Sequence, residues 1–265
     1  MRLLSRALPV FTALALGCGD EETPPPITTT QEPDLAVDTV DGAYVASVAT
    51  ALVADTLTTT MSGEGAAMTA AAGAGMFLQP AGCVRAPANG NVVTYTLTNC
   101  AGPYGFAQAS GTLRATITSN GPGLGFTVVL AGSLNANRGR WTIDASANVA
   151  GGNTSAERRA AVTSRMSGTG AHGRTLTHAG LFNIAWTSQS IDLNGTWETH
   201  VANLTFNTTV MNFRRRETMC PESGGTVRLS TPDGRSVTVT FTATATATVS
   251  GSGGRTGTVP LYCGM

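Results

Sequence analysis

Asn89-Gly90-Asn91-Val92-Val93-Thr94-Tyr95-Thr96-Leu97-Thr98 is the stretch that decides the fold class. Val93, Tyr95 and Leu97 alternate with Thr94, Thr96 and Thr98, a period of two that gives an extended chain one apolar and one hydroxylic face. Asn89-Gly90 in front of it supplies two residues that tolerate positive φ at the centre of a tight hairpin. The pattern repeats toward the C terminus. Leu113 and Ile117 sit among Thr112, Thr116 and Thr118, and Phe126 to Leu130 is a denser apolar run. Further runs cover 140–147, 181–191, 196–209, 226–230, 237–249 and 256–261, with turn signals at Asn120-Gly121, Asn194-Gly195, Asp233-Gly234 and Gly253-Gly254. These runs predict a mainly β protein: a large curved antiparallel meander sheet of nine to eleven strands, half-barrel or sandwich-like, with an N-terminal helix packed on it. The stretch Asn153 to Met166 fits one helical turn or another strand equally well.

Upstream of residue 81 the period changes. Val37, Val40, Tyr44, Val48 and Leu52 recur at three- and four-residue steps, which predicts an amphipathic helix from Asp34 to about Met61, with Asp38 or Asp41 near its start as cap or dipole partner. Gly65 to Gly75 is almost wholly Ala and Gly, compatible with a second short helix or a linker. The chain therefore divides into a helical segment at 34–80 and a β-domain at 81–265. Residues 18–33, with Pro24-Pro25-Pro26 and Thr28-Thr29-Thr30, lack any hydrophobic period and read as an extended tether. Residues 1–17 read as a signal peptide: Arg2 and Arg6 precede the apolar run Ala7 to Leu16, which is too short to span a bilayer.

Charge is sparse and unevenly placed. Charged residues make up 12% of the chain, about half the usual share, so Thr, Ser, Asn and Gly must carry the surface, as in exported β-proteins. From Cys18 to Gly82 there are nine carboxylates and no Arg; from Cys83 onward fourteen Arg face seven carboxylates. An acidic leader on a basic body predicts pairing within the chain, or contact of the body with an acidic surface. Nucleic acid is excluded as a partner for an exported chain with a formal net charge of zero.

Setting Cys18 aside, Cys83, Cys100, Cys220 and Cys263 are an even set in an exported chain and imply two disulfides, for which three connectivities exist. Sequential pairing is expected, because Cys83 and Cys100 flank one hairpin and Cys220 and Cys263 bracket the last strand group. No Cys pair has metal-ligand spacing.

Leu14-Ala15-Leu16-Gly17-Cys18 resembles a lipobox, the site at which bacterial lipoproteins are cleaved and acylated; Ala15 departs from the Leu usual there. Read without it, the segment is an ordinary secretory signal with an incidental Cys, and both readings export the chain. Cys83, the alternating Val93 to Leu97, Asn99-Cys100-Ala101-Gly102-Pro103, the Asn194-Gly195-Thr196-Trp197 turn, Cys220-Pro221 with Gly224-Gly225, and Leu261-Tyr262-Cys263-Gly264 together resemble uncharacterised lipoproteins of myxobacteria and related Gram-negative bacteria. The resemblance implies an outer-membrane or other cell-envelope location and a membrane partner reached through a lipid on Cys18. It carries over no catalytic residue and no cofactor.

Several side-chain groups invite a chemical role. Glu198 and His200 share a strand face, and a two-residue turn at Asn194-Gly195 would send Asp192 to the opposite face. His172, His178 and His200 are three conceivable metal ligands without fixed spacing. Arg214-Arg215-Arg216 is the densest basic cluster and a candidate contact for anionic headgroups or glycan, or a strand end paired with nearby acids. Trp141, Trp186 and Trp197 lie on expected strands, where core packing is the default. With no convincing catalytic set, the expected function is that of a non-enzymatic envelope lipoprotein, structural or ligand-binding. The alternatives are a carrier of lipid or another apolar ligand in a half-barrel groove, and an exported glycan hydrolase using Glu198 or Asp144.

Overall fold

The computed structural model describes residues 31–58, 61–121, 125–150, 157–217 and 220–263. The expected signal peptide, Cys18, the tether up to residue 30 and the Asn153 end of the ambiguous stretch lie outside the described residues. Two helices, α1 (Glu32–Ala54) and α2 (Gly63–Phe77), precede the strands. The strands are β1 (Val84–Arg85), β2 (Ala88–Asn89), β3 (Val92–Cys100), β4 (Ala109–Ser119), β5 (Phe126–Ala136), β6 (Gly139–Val149) and β7 (Arg158–Thr169). They continue as β8 (Thr175–Trp186), β9 (Ser190–Val201), β10 (Leu204–Arg216), β11 (Thr226–Ser230), β12 (Ser236–Phe241), β13 (Thr246–Gly251) and β14 (Thr256–Pro260). All belong to one open antiparallel sheet that runs β1-β3-β4 and then in chain order to β14, with β2 also paired to β3.

Alternation builds the core. In β6 the residues Trp141, Ile143, Ala145, Ala147 and Val149 point inward and are buried, while Thr142, Asp144 and Asn148 point to solvent. The inward faces of β5 to β9, β11 and β12 close on α1, and α2 covers β1 to β4. The sheet thus wraps a helix.

Eighteen of the 23 residues of α1 are buried, so the expected amphipathic helix has no solvent face to speak of. Val37, Val40, Tyr44 and Val48 form one stripe, but the rest of the helix is apolar or small too, mostly Ala, Ser, Thr and Gly with Leu35 and Val53, so strands approach from several directions. Ser47 and Thr50 return their hydroxyls to the carbonyls of Ala43 and Ala46, so burial leaves neither unsatisfied. The helix starts before Asp34: Pro33 fits the first turn, where its missing N–H costs nothing, and Glu32 and Asp34 favour the helix dipole. Glu32 and Pro33 therefore belong to the helix and not to the tether. Asp38 and Asp41 lie one and two turns inside and cap nothing. At the other end the Arg158 guanidinium donates to the carbonyls of Ala54 and Leu57 at 2.7 and 2.9 Å, neutralising the helix C terminus.

The Ala/Gly stretch is helical, with the Ser62 hydroxyl accepting from Gly65 N as N-cap. The ambiguous stretch is strand β7, in which Ala160, Val162, Ser164 and Met166 face inward. The run 237–249 is two strands, β12 and β13, and the described residues hold fourteen strands in all.

Asn194-Gly195 is no turn but the middle of β9. Gly195 is paired with Phe182, and a Cβ on it would lie 2.4 Å from the Phe182 Cβ and 2.6 Å from the Leu181 carbonyl oxygen, so glycine is there to let β8 come close. The Asn194 side-chain carbonyl accepts the Asn212 N–H at 2.7 Å, which serves the irregular step between Val210 and Phe213 in β10. The chain turns instead at Thr187–Gln189 and at Ala202-Asn203.

Both disulfides pair sequentially. Cys83–Cys100 joins the start of β1 to the end of β3, and Cys220–Cys263 gathers β11 to β14 into one covalent loop. With separations of 17 and 43 residues, they remove unfolded-chain entropy worth roughly 3 and 4 kcal/mol.

Candidate functional site

Charged side chains are scarce inside this protein, and those present gather on one side of α1. Asp38 is fully buried. Its carboxylate accepts from the His172 N–H at 3.1 Å, from His172 Nδ1 at 2.8 Å and from the Arg174 N–H at 3.3 Å. His172 Nε2 donates to the Pro260 carbonyl at 2.9 Å. A carbonyl only accepts, so Nε2 carries a hydrogen; the short contact from Nδ1 to a carboxylate then calls for a second one, which makes the ring an imidazolium. Burial pulls the His172 pKa down, but the bond to Asp38, its charge and the Pro260 carbonyl outweigh this and leave it raised.

The loop between β7 and β8 delivers His172. Gly170 sits on the Asp38 carboxyl, where a Cβ would come within 2.1 Å of Cγ, so only glycine lets the loop close there. One buried acid thereby ties helix, loop and the last strand together.

One turn further along α1, Asp41 and Tyr44 meet Arg215 of β10. The Arg215 guanidinium carbon stands 4.6 Å from the centre of the Tyr44 ring, and Arg215 is only 4% exposed. Burial lifts the Asp41 carboxyl to about 7; Arg215 lowers it, Asp38 raises it and His172 lowers it by lesser amounts. Tyr44 donates its hydroxyl to the Tyr104 carbonyl, and the Tyr104 hydroxyl donates to the Thr187 carbonyl at 2.5 Å. Asp41, Arg215, Asn137, Tyr262 and Cys263 border one small cavity, and Arg215, Asn137, Tyr262 and Cys263 also border a second of about 160 Å³, walled by Gly102, Gly105, Gln108 and Arg138.

The basic tripeptide is split by the strand's own period. Arg214 points outward and grips Asp192 with two bonds at 2.6 and 2.8 Å; Arg216 points outward to Glu222; Arg215 points inward. Glu198 and His200 also lie outside, 3.4 Å apart and solvent-exposed. With no turn at Asn194-Gly195, Asp192 shares their outer face, but it stands six residues from Glu198 along the strand and is paired to Arg214. Asp144, the other carboxylate considered for glycan chemistry, is on β6, opposite Arg165.

The three histidines do not meet. His172 is held by Asp38, and His200 is on the outer face. His178 is buried against Trp197, with Nε2 3.4 Å from the Ser164 hydroxyl and burial lowering its pKa to about 4. Among the described residues no group of His, Cys, Asp and Glu is arranged to hold a metal ion. The three tryptophans are all core residues: Trp186 Nε1 donates to Asp55 at 3.2 Å and Trp197 Nε1 to Thr39 at 2.9 Å. The acidic start of α1 does pair with the basic body, through Asp34 with Arg174 and Glu32 with Arg235.

Asp38, Asp41 and His172 escape a search for motifs because no spacing rule joins them. Two signals were nonetheless present. Asp38 and Asp41 are carboxylates three apart in a helix otherwise free of charge from Leu35 to Ala54, and Arg215 is two residues from Phe213, hence on its face. The chain matches no protein-family model, no curated protein and no solved structure.

Proposed function

We propose that this chain is a non-enzymatic lipoprotein of the cell envelope, anchored through Cys18, whose body is a structural or ligand-binding β-shell. One observation carries the choice between this function and that of a lipid carrier: α1 occupies the concave side of the sheet. What remains between α1, α2 and strands β3 to β5 is an apolar cavity of about 20 Å³, bordered by Leu52, Phe77, Tyr95 and Leu113, room for about one water molecule; the larger clefts carry charged walls, one of about 200 Å³ at Asp55 and one of about 350 Å³ among Glu32, Asp34, Arg235 and Arg255, unlike the apolar groove a carrier needs. The catalytic alternative gains nothing from geometry that sets Glu198 and Asp144 on the outer faces of two strands, β9 and β6, that are not neighbours in the sheet. The anchor and the export signal belong to the same proposal and rest on Arg2, Arg6 and the Leu14 to Cys18 motif; the likeness to myxobacterial lipoproteins belongs to it too and rests on the Cys100, Trp197, Cys220 and Cys263 motifs.

Expression of the full chain in a Gram-negative host, followed by detergent phase partition and native mass spectrometry, tests it. Wild type should enter the detergent phase with the mass of an acylated chain, Cys18→Ala should enter the aqueous phase, and neither should retain a non-covalent ligand of lipid mass. Identical partition of the two proteins would remove the anchor; a stoichiometric acyl ligand would replace the shell by a carrier.

A further inference from the structure

The second cavity beside Arg215 has the makings of an anion site, independent of how the protein is anchored. Arg215 is a permanently charged group almost wholly withdrawn from water. Burying such a group is unfavourable by several kcal/mol unless counter-charge and hydrogen-bond acceptors replace its hydration. Here the replacement is incomplete. Among the described residues no carboxylate lies within ion-pair distance of it, and its Nε has no hydrogen-bond partner. The Nδ2 of Asn137, on the same cavity wall, is likewise buried without an acceptor. Arg138 stands at the mouth, its guanidinium carbon 4.7 Å from the centre of the Tyr262 ring.

Two donors, the Arg215 Nε and the Asn137 Nδ2, therefore lack acceptors beside a space of about 160 Å³ that Ala101, Gly102, Gly105, Phe106 and Ala107 also border. A space of that size holds a few waters or one small polyatomic anion. A planar guanidinium held against an aromatic ring is also the group best suited to carboxylate or phosphate oxygens, since its orientation is fixed before the ligand arrives. We propose that the cleft formed by Arg215, Asn137, Arg138 and Gln108 binds a small oxyanion, a carboxylate or a phosphate group.

The charges around Arg215 set the pH response of the cleft. Arg215 of β10 and Arg138 of the β5–β6 turn border the cleft itself, whereas Asp41 of α1 borders the smaller cavity that Arg215 also lines, with Asp38 and His172 acting on Asp41. Asp41 is the unfavourable neighbour, and it gains a proton as pH falls through about 7. Affinity for an anion should rise over the same interval.

The test is isothermal titration of the full chain with sodium phosphate and, separately, sodium acetate, with sodium chloride holding ionic strength constant. Saturable binding of one of the two is expected, and which one identifies the ligand chemistry. Arg215→Lys and Arg138→Gln should each weaken it about tenfold or more, the worth of a lost charge-assisted bond. Asp41→Asn should tighten it at pH 8 and flatten its pH dependence, whereas Arg228→Gln, on the exposed side of β11, should leave it unchanged. Should Arg215→Lys fail to fold, Arg138→Gln and Asp41→Asn decide. Absence of saturable binding for both anions, or affinity unchanged in Arg138→Gln and Asp41→Asn, would overturn the proposal.

Discussion

Two polar clusters touch α1, and they are built on opposite terms. The cluster at Thr39 is neutral and complete: the Thr39 hydroxyl meets Thr199 at 2.9 Å and receives the Trp197 indole N–H, and Thr199 meets Thr208 at 2.7 Å. The cluster at Asp38, Asp41, His172 and Arg215 is charged and incomplete, with the Arg215 Nε unserved. Neutral hydroxyls can share their hydrogens around a ring of partners inside a core. Charges cannot, and they persist in a core only with counter-charge or with a task that needs them. The first cluster fixes the register of helix against strands β9 and β10; the second is where ligand chemistry is to be sought.

The largest effect separating them should come from Asp38→Ala. It strips three hydrogen bonds from one carboxylate and leaves the His172 imidazolium in a buried site without its counter-charge. A loss of about 3–5 kcal/mol is expected from urea unfolding, the range for breaking a buried ion pair. Thr39→Val should cost less, about 1–3 kcal/mol, because the indole N–H of Trp197 loses its acceptor while no charge is stranded. Equal losses in the two variants would mean that the charged cluster is no different in kind.

How much of this was legible in the sequence depends on which physical rule each feature obeys. Period-two runs with turn signals gave the strands at Val93 to Leu97 and the presence of a hairpin before them, since alternation and the positive φ of Gly90 are local properties, but the central pair is Gly90-Asn91, one residue later than the Asn-Gly signal, because Asn89 pairs with Val92. Cysteine parity and flanking positions were enough for both disulfides. Asn194-Gly195 misleads because its glycine is demanded by Phe182 on the neighbouring strand, a long-range requirement that mimics a local one. β7 is obscured because Ala160 and Ala161 carry the same side chain on opposite faces, so alternation leaves no trace there. The charged cluster assembles residues 38, 41, 172 and 215 from three separate elements, and only the topology brings them together.

pH should sharpen the same contrast. The His172 pKa is raised above its ordinary 6.5, so the stability it contributes is complete below 6.5 and is lost as pH climbs through the folded value. Asp41 acts in the same direction: its carboxyl, raised from 3.8 to about 7, favours folding below 3.8 and ceases to do so as pH rises toward 7. Asp41→Asn should therefore match wild type at low pH and exceed it in stability above neutrality. His178, lowered to about 4, has the opposite sign; its contribution is present above 6.5 and lost as pH falls toward 4, and His178→Leu should remove that acid limb alone. Melting temperatures of the variants across pH 3.5 to 9 separate the limbs. Thr39→Val, with nothing to titrate, should run parallel to wild type throughout.

The smallest effect belongs to the outer arginines, and it is informative because they adjoin the inner one in sequence. Arg214 holds Asp192 with good two-bond geometry, but its side chain is 38% exposed, and Arg216 with Glu222 is more open still. Solvent and salt already stabilise both partners in the unfolded chain, so Arg214→Ala should cost about 0–1 kcal/mol in urea unfolding, and less in high salt. Arg215, one residue away, exchanges that environment for a tyrosine ring and the wall of a cleft. Three identical residues in a row thus test one variable, the face on which the strand puts them. A loss above 2 kcal/mol for Arg214→Ala would show that the outer ion pair is coupled to Arg215 through β10, and that the boundary between the structural and the ligand-facing charges lies outside the sheet.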